Sequence, residues 1–178
     1  MSIEEIVQGC IDNDRNSQKK LFERYASDML VVCMRYARHH LEAEDMLQEG
    51  LLNVYRNIKQ YNRKGSFDGW VKRIVINSCL KEIRRFSFKY EEIGIEPGIE
   101  VKTDPKIYEQ LTEKDIFRFI RSLPKGYRMV FNLYAIEGYS HKEIAELLQI
   151  EEGTSRSQLL KARKFLQNII GKALGTLI

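Results

Sequence analysis

The stretch SHKEIAELLQIEEGTSRSQLLKARKFL, Ser140 to Leu166, decides the reading of the chain around it. Ser140 with Glu143 three residues on is the capping-box pattern that opens a helix. Ile144-Ala145-Glu146-Leu147-Leu148 continue that helix, and the pattern breaks at Gln149-Ile150-Glu151-Glu152. A longer helix begins near Gly153-Thr154 and carries Leu159, Ala162, Phe165, Leu166, Ile169 and Ile170 inward. A short capped helix, a brief turn and a second helix rich in Arg, Ser, Gln and Lys are the signature of a helix-turn-helix. Ala145 is small where the helices must approach closely, and Ile150 is expected to fill the space between them. On the second helix Arg156, Ser157, Leu160, Lys161 and Lys164 point away from the stripe of Ser155, Leu159, Ala162 and Leu166. Arg and Lys can address guanine edges, Ser either base type, and Leu160 a thymine methyl. A plain helical hairpin with a wet face fits the spacing too; the capping box, the small residue and the basic second helix together favour DNA.

Working outward, Ile116, Phe117, Phe119 and Ile120 lead to Leu123-Pro124, and a helix from Tyr127 to Ile136 runs into the stop Glu137-Gly138. Upstream the character changes. Residues 87–112 carry three basic and six acidic groups, and Ile93 to Pro105 holds two of the three prolines and two glycines with no helical stripe. That composition predicts a linker. The flanking blocks are both basic: residues 1–86 have 15 basic and 12 acidic groups, residues 113–178 have 11 and seven. The expected fold is all-α, two small helical domains (1–86 and 113–178) joined by a flexible acidic linker (87–112).

Residues 1–86 read as helices almost throughout. Ile3, Ile6, Val7, Cys10 and Ile11 mark a first; Leu21, Phe22, Tyr25, Met29, Val32, Cys33 and Tyr36 a second. A third runs from about Leu41 to Asn57 with Ala43, Met46, Leu47, Leu51, Val54 and Ile58 apolar. Its start is acidic and its end basic, the order the helix dipole favours. A fourth covers about Phe67 to Phe86 through Trp70, Ile74, Val75, Cys79, Leu80 and Ile83. These stripes suffice for a bundle. Two features exceed it. Asp45, Gln48 and Glu49 share one face of the third helix, although a solvated acidic surface is the plainer reading of that spacing alone. Arg56 to Lys89 carries ten Lys/Arg against Asp68 and Glu82, with Tyr61, Phe67, the single Trp70, Phe86 and Phe88 interleaved. Cations neutralise phosphates and aromatic rings stack on unpaired bases, so this stretch points to nucleic acid even though some of the rings must be core.

Composition removes other classes. The chain has 178 residues, 43% hydrophobic and 30% charged, with net charge +4. Its longest apolar run, Met29 to Met34, is far short of the roughly 20 residues a spanning helix needs, so no membrane insertion is expected. The acidic Met1-Ser2-Ile3-Glu4-Glu5 lacks a signal-peptide plan. Cys10, Cys33 and Cys79 form no C-x-x-C pair, which argues against a disulfide framework or structural zinc and for a reducing cytoplasm. No Gly-rich phosphate loop, G-x-S-x-G or H-E-x-x-H occurs. His39 and His40, adjacent on a helix, point about 100° apart and cannot easily share one ion. No catalytic residue, metal or cofactor is expected.

With these residues in view, the chain resembles a sigma factor of the extracytoplasmic-function (ECF) group from about Ser17 to Gln167. Ala43-Glu44-Asp45-Met46-Leu47-Gln48-Glu49 is similar to the family's A-E-D-x-x-Q-E. The resemblance implies that Asp45, Gln48 and Glu49 bind the beta-prime clamp helices of core RNA polymerase. Phe67 to Asn77 (FDGWVKRIVIN) is similar to F-x-x-W-L-x-R-I-A-x-N, which in the family opens the −10 element. The loop before it, here about Tyr61 to Ser66 with Asn77 beside it, captures a flipped-out base in the family. The −10 and melting set so implied is Tyr61, Arg63, Lys64, Ser66, Phe67, Trp70, Arg73 and Asn77. Leu123-Pro124 with Arg128-Met129-Val130-Phe131 resembles the start of the −35-binding domain. There Thr154, Arg156, Ser157, Gln158, Leu160, Lys161, Arg163 and Lys164 are the implied DNA contacts. The implied partners are core polymerase, through the clamp helices and the beta flap, promoter DNA and an anti-sigma factor. The family usually has G-T-V-x-S-R-x-x-R-A-R in the recognition helix, whereas this chain has Ser155 for the apolar residue, Gln158 for Arg, and Gln149 where the turn usually has Gly. A left-handed residue there costs roughly 1 kcal/mol. The competing reading is a free-standing regulator, which needs a helix-turn-helix but neither the Asp45-Gln48-Glu49 face nor the basic-aromatic stretch.

Overall fold

The structure, a computed structural model, describes residues 1–91 and 112–173. The chain divides into two compact units, Met1–Ile95 and Glu96–Ile178. Among the described residues there are helices and no strand, so the all-α class holds. None of these helices is long and apolar enough to cross a membrane.

In the first unit α1 spans Ile3–Ile11, α2 Arg15–Tyr36, α3 His40–Asn57 and α4 Phe67–Glu91, with a 3-10 turn at Ile58–Gln60 after α3. Each start has a local cause. Ser2 and Glu5 form a reciprocal capping box on α1, and Asp14 accepts from the Ser17 N–H at 2.7 Å to open α2. The imidazole Nδ1 of His39 accepts from the Glu42 N–H at 3.2 Å to open α3. His40 pairs with Glu44 at 3.4 Å, so each histidine of the adjacent pair has a helix-local partner. The core holds Tyr36, Met46, Val54, Val71, Val75, Ile76, Cys79 and Leu80. α3 and α4 pack closely at Gly50, where a Cβ would stand 3.2 Å from both Val75 methyls and 3.3 Å from its Cα.

Three expectations for this unit need correction. Phe22 leaves the α2 stripe and is 47% exposed, because Leu21, Tyr25, Met29, Val32, Cys33 and Tyr36 already complete the buried face. On α4 the buried line is Phe67, Val71, Val75, Ile76, Cys79, Leu80 and Ile83, which leaves Trp70 and Ile74 half-buried on its flank. α4 also runs past Phe86 to Glu91. Nothing stops it earlier, since Ser87 to Glu91 contains neither Gly nor Pro. The rest of the expected linker up to Leu111 lies outside the described residues, as do residues 174–178.

The second unit contains α5 (Glu113–Ser122), α6 (Lys125–Phe131), α7 (His141–Leu148) and α8 (Glu152–Ala173). Phe119, Leu123, Ala162 and Leu166 form its core cluster, with Tyr127, Phe131, Phe165, Ile169 and Ile170 packed against it. Ile116 is 51% exposed rather than in the stripe. The helix expected from Tyr127 to Ile136 is instead α6 followed by a π turn at Asn132–Ile136, closed by the Glu137 N–H on the Asn132 carbonyl at 3.0 Å. Gly138 then turns the chain with φ +78°. The Ser140–Glu143 capping box forms on α7 as the sequence indicated. Gln149 ends α7 in the left-handed conformation, φ 56° and ψ 48°, with its N–H on the Ala145 carbonyl. The chain thus accepts the roughly 1 kcal/mol that a glycine would have spared it.

Candidate nucleic-acid and partner interfaces

The packing of α3 determines which of its side chains remain outside. Ala43, Met46, Leu47, Gly50, Leu51 and Val54 face the bundle. Asp45, Gln48 and Glu49 are all exposed. Glu49 accepts from Asn53 Nδ2 at 3.2 Å and pairs with Arg56 Nη1 at 3.2 Å, which pins its carboxylate in place. Sequence reasoning missed the frame around this trio. Leu41 is 69% and Leu52 48% exposed, and both continue the same helical line at both ends of it. The available signal was that Leu52 falls off the buried pattern of Leu51 and Val54.

The loop from Tyr61 to Ser66 is built from short polar links. The Tyr61 hydroxyl donates to the Gly65 carbonyl at 2.9 Å, and Asn62 Oδ1 accepts from the Lys64 N–H at 3.0 Å. Ser66 Oγ accepts from the Gly69 N–H at 2.9 Å and opens α4. Arg63 and Gly65 have φ of 60° and 89°. Arg63, Lys64 and Ser66 are exposed. Beneath them lies an aromatic floor: Phe67 meets Tyr61 at 4.9 Å, Trp70 at 5.5 Å and Tyr25 at 5.8 Å between ring centroids. Tyr25 donates to Asp68 at 2.5 Å and so ties α2 to the first turn of α4. Phe67 is 5% exposed, so its ring supports the loop and cannot itself stack on a base. Tyr61 and Trp70 are half-buried.

Arg73 and Asn77 are exposed on the α4 line that starts at Trp70, and Lys81 and Arg84 continue it. Asn77 is exposed on α4. It stands two turns beyond Trp70, about 10 Å of helical rise. The side chains of Arg85, Phe86, Phe88 and Lys89 lie outside the described residues.

On α8 the buried line is Ser155, Leu159, Ala162 and Leu166. At about 100° per residue, Leu160, Lys164 and Ser157 lie roughly opposite it, with Arg156 and Lys161 on their shoulders. These five are exposed and form one face, with Leu160 at 56%. Arg156 pairs with Glu152 one turn back. The Ser157 hydroxyl donates to the Thr154 carbonyl at 3.0 Å, and Thr154 is half-buried. Gln158 is half-buried on one flank, and Arg163, exposed, lies in line with Arg156 two turns further along. The Gln158 amide lies against α6, 3.2 Å from where a Cβ on Gly126 would be, and the Arg163 guanidinium lies 5.9 Å from the Tyr134 ring. Phe131, Leu166 and Ile170, with Arg163, Gln167 and Gly171, line an apolar groove of about 420 Å³.

Ser155 has a partner that sequence reasoning did not find. Its Oγ is 2.9 Å from Nδ1 of His141, whose ring stacks on Tyr134 at 4.4 Å and 21°. Burial and the nearby Arg156 and Arg163 push the His141 pKa below its ordinary value, with Glu152 pulling the other way.

Comparison with known proteins joins these surfaces. Sigma-70 region 2 matches residues 21–87 and sigma-70 region 4 matches residues 113–166, together about two-thirds of the chain. The ECF RNA polymerase sigma factor SigE of Mycolicibacterium smegmatis is 27% identical over 161 residues, covering 88% of this chain and 62% of that protein. The chain therefore spans less than two-thirds of that relative. The ECF RNA polymerase sigma-E factor of Haemophilus influenzae is 23% identical over 180 residues, covering 94% and 93% of the two chains. Among solved structures, the sigma factor RpoE in complex with the anti-sigma factor NepR from Bartonella quintana aligns with a TM-score of 0.58 at 20% identity, covering 85% and 95%. CnrH in complex with the cytosolic domain of CnrY aligns at 0.51 and 16%, covering 94% and 96%. At such identities the two structures speak to the fold alone. The acidic face and aromatic-floored loop fall within the region 2 match and the helix-turn-helix within the region 4 match, and on that correspondence the chain belongs to the sigma-70 family of RNA polymerase sigma factors, in its ECF group.

Proposed function

We propose that the chain binds core RNA polymerase through Asp45, Gln48 and Glu49, opens promoter DNA at the −10 element with the loop and α4, and reads the −35 element with α8. The observation that carries the reading is the placement of two different surfaces on one small bundle. α3 presents an acidic line framed by Leu41 and Leu52, and α4, packed against it at Gly50–Val75, presents a basic and aromatic one. A DNA-only regulator needs the second surface, or the helix-turn-helix, but not the first. In this assignment residues 1–86 with the extra turn of α4 act as the polymerase and −10 domain, 87–112 as the tether, and 113–178 as the −35 domain.

The physics of opening follows from the loop. Extruding a base costs a few kcal/mol, offset by stacking and edge contacts in the receiving site. Tyr61 and Trp70 supply ring surface, and Arg63 and Lys64 supply charge for the backbone. Arg73, Lys81 and Arg84 line a phosphate track along α4. Asn77, exposed on the same line of α4 as Trp70 and Arg73, belongs to the same −10 surface. The apolar groove beside Phe131 and Ile170 is a fitting seat for the beta flap. An anti-sigma factor is a further proposed partner, and action in the cytoplasm, where polymerase and chromosome meet, is part of the same reading.

The test is Asp45→Lys with Glu49→Lys. Both side chains are exposed, so the folded state should lose about 0.5 kcal/mol or less at Asp45 and about 1 kcal/mol at Glu49, whose exposed pair with Arg56 is lost. Co-purification with core polymerase should be abolished while circular dichroism stays unchanged. Normal co-purification by the double variant would overturn the assignment.

A further inference from the structure

The recognition helix carries a hydroxyl where its packing calls for an apolar group, and that hydroxyl is fully enclosed. Ser155 is 0% exposed on the buried line of α8. Its Oγ lies 2.9 Å from His141 Nδ1, on the first residue of α7. The His141 ring stacks on Tyr134, which the π turn presents, and the Arg163 guanidinium lies 5.9 Å from the same Tyr134 ring. One wall of two rings therefore touches α8 twice, at Ser155 and at Arg163, eight residues or about 12 Å further along.

An apolar residue at 155 would pack against the turn with no preferred direction. A buried hydroxyl must meet its partner within hydrogen-bond geometry, because leaving it unpaired forfeits its desolvation free energy. The contact thus fixes the rotation of α8 about its own axis. Side chains on a helix end about 6 Å from that axis. A 20° rotation would carry the tips of Arg156, Ser157 and Lys161 by about 2 Å, more than the tolerance of a base-edge hydrogen bond.

Resting on the −35 reading given above, we propose that His141 is a positioning residue for −35 recognition, setting the rotation of α8 through Ser155 while touching no base itself. In the neutral tautomer that carries its proton on Nε2, His141 Nδ1 accepts the Ser155 O–H. The downward push on its pKa from burial, Arg156 and Arg163 is consistent with that form.

The test uses the full chain bound to core polymerase and promoter fragments carrying each single −35 substitution, and reads the affinity ratio between best and substituted sites. His141→Phe keeps the stack on Tyr134 and orphans the Ser155 hydroxyl; the ratio should fall about tenfold. His141→Phe with Ser155→Val removes both partners, and since paired apolar replacement is nearly neutral, the ratio should return to within about threefold of wild type. His141→Asn, which restores a polar group near Nδ1, should keep most of it. A ratio that survives His141→Phe, or a double variant no better than His141→Phe, would overturn the positioning role. A wild type with no −35 preference at all would overturn the −35 reading and this proposal with it.

Discussion

Two glycines offer matched perturbations with different consequences. Gly65 has φ +89° in the loop above the aromatic floor, and Gly138 has φ +78° between the π turn and α7. At neither would a Cβ meet any atom within 4 Å, so Gly→Ala adds no clash and acts through the backbone alone. The positive-φ cost is about 1–2 kcal/mol, less about 0.4–1 kcal/mol from the stiffer unfolded chain. The net is about 1 kcal/mol, or about 4–8 °C in Tm for a unit of this size. Each variant should therefore destabilise its own unit alike. Their effects on melting should differ. In Gly65→Ala the loop leaves its conformation, with the Tyr61–Gly65 hydrogen bond strained, and the pocket-competent fraction falls by up to about fivefold. Gly138→Ala leaves the loop untouched. Permanganate reactivity of unpaired thymines on a template bearing only the −10 element reads this directly. A fall for Gly65→Ala and none for Gly138→Ala is expected; equal effects from the two, or no change for Gly65→Ala, would refute the loop's role in opening.

Two further outcomes follow from the second unit. Lys161→Ala should cost about 1–3 kcal/mol at the matched site and relax preference at one −35 position, whereas Lys164→Ala should weaken all sequences alike and reduce the salt slope by about 1; filter binding across −35 variants separates them. His141 faces Arg156, Arg163 and Glu152 of α8 and Tyr134 of the π turn, has Lys142 and Glu143 beside it on α7, and has a folded pKa below its ordinary value of 6.5. The unfolded chain therefore takes up the proton first. The second unit should be equally stable above pH 7 and lose stability as pH falls through 6.5 towards the folded value, and His141→Phe/Ser155→Val should remove that part of the slope in thermal melts.

Spacing of apolar residues located all four helices of the first unit, because each buried face is a repeat of three and four that no tertiary contact overrides. It failed where two faces compete. Trp70 and Ile74 lie at the edge of the α4 stripe, and the packing of α4 against α3 at Gly50 and Val75 takes Val71 and Ile76 inside instead. Phe67 and Tyr61 look alike in the sequence as aromatic neighbours of basic residues, yet one is floor and the other rim. The left-handed strain at Gln149 was legible from the missing glycine. The partner of Ser155 was not, since it lies 14 residues away and meets Ser155 only after the helix-turn-helix closes. The same holds for the neighbours of Gln158 and Arg163, Gly126 of α6 and Tyr134 of the π turn, which come from elsewhere in the chain. The π turn itself leaves no mark in a helical pattern, because Tyr127 to Ile136 carries no breaker.

The central claim, promoter-specific initiation in the company of core polymerase, is tested most directly by run-off transcription from a randomised promoter library with purified core enzyme and this chain. Enrichment of templates that share two separated elements, absent when the Asp45→Lys/Glu49→Lys variant replaces the wild type, is the result expected. Sequence-selective DNA binding by the chain alone, with no promoter-specific transcript when core polymerase is supplied, would contradict the account and leave a free-standing regulator in its place.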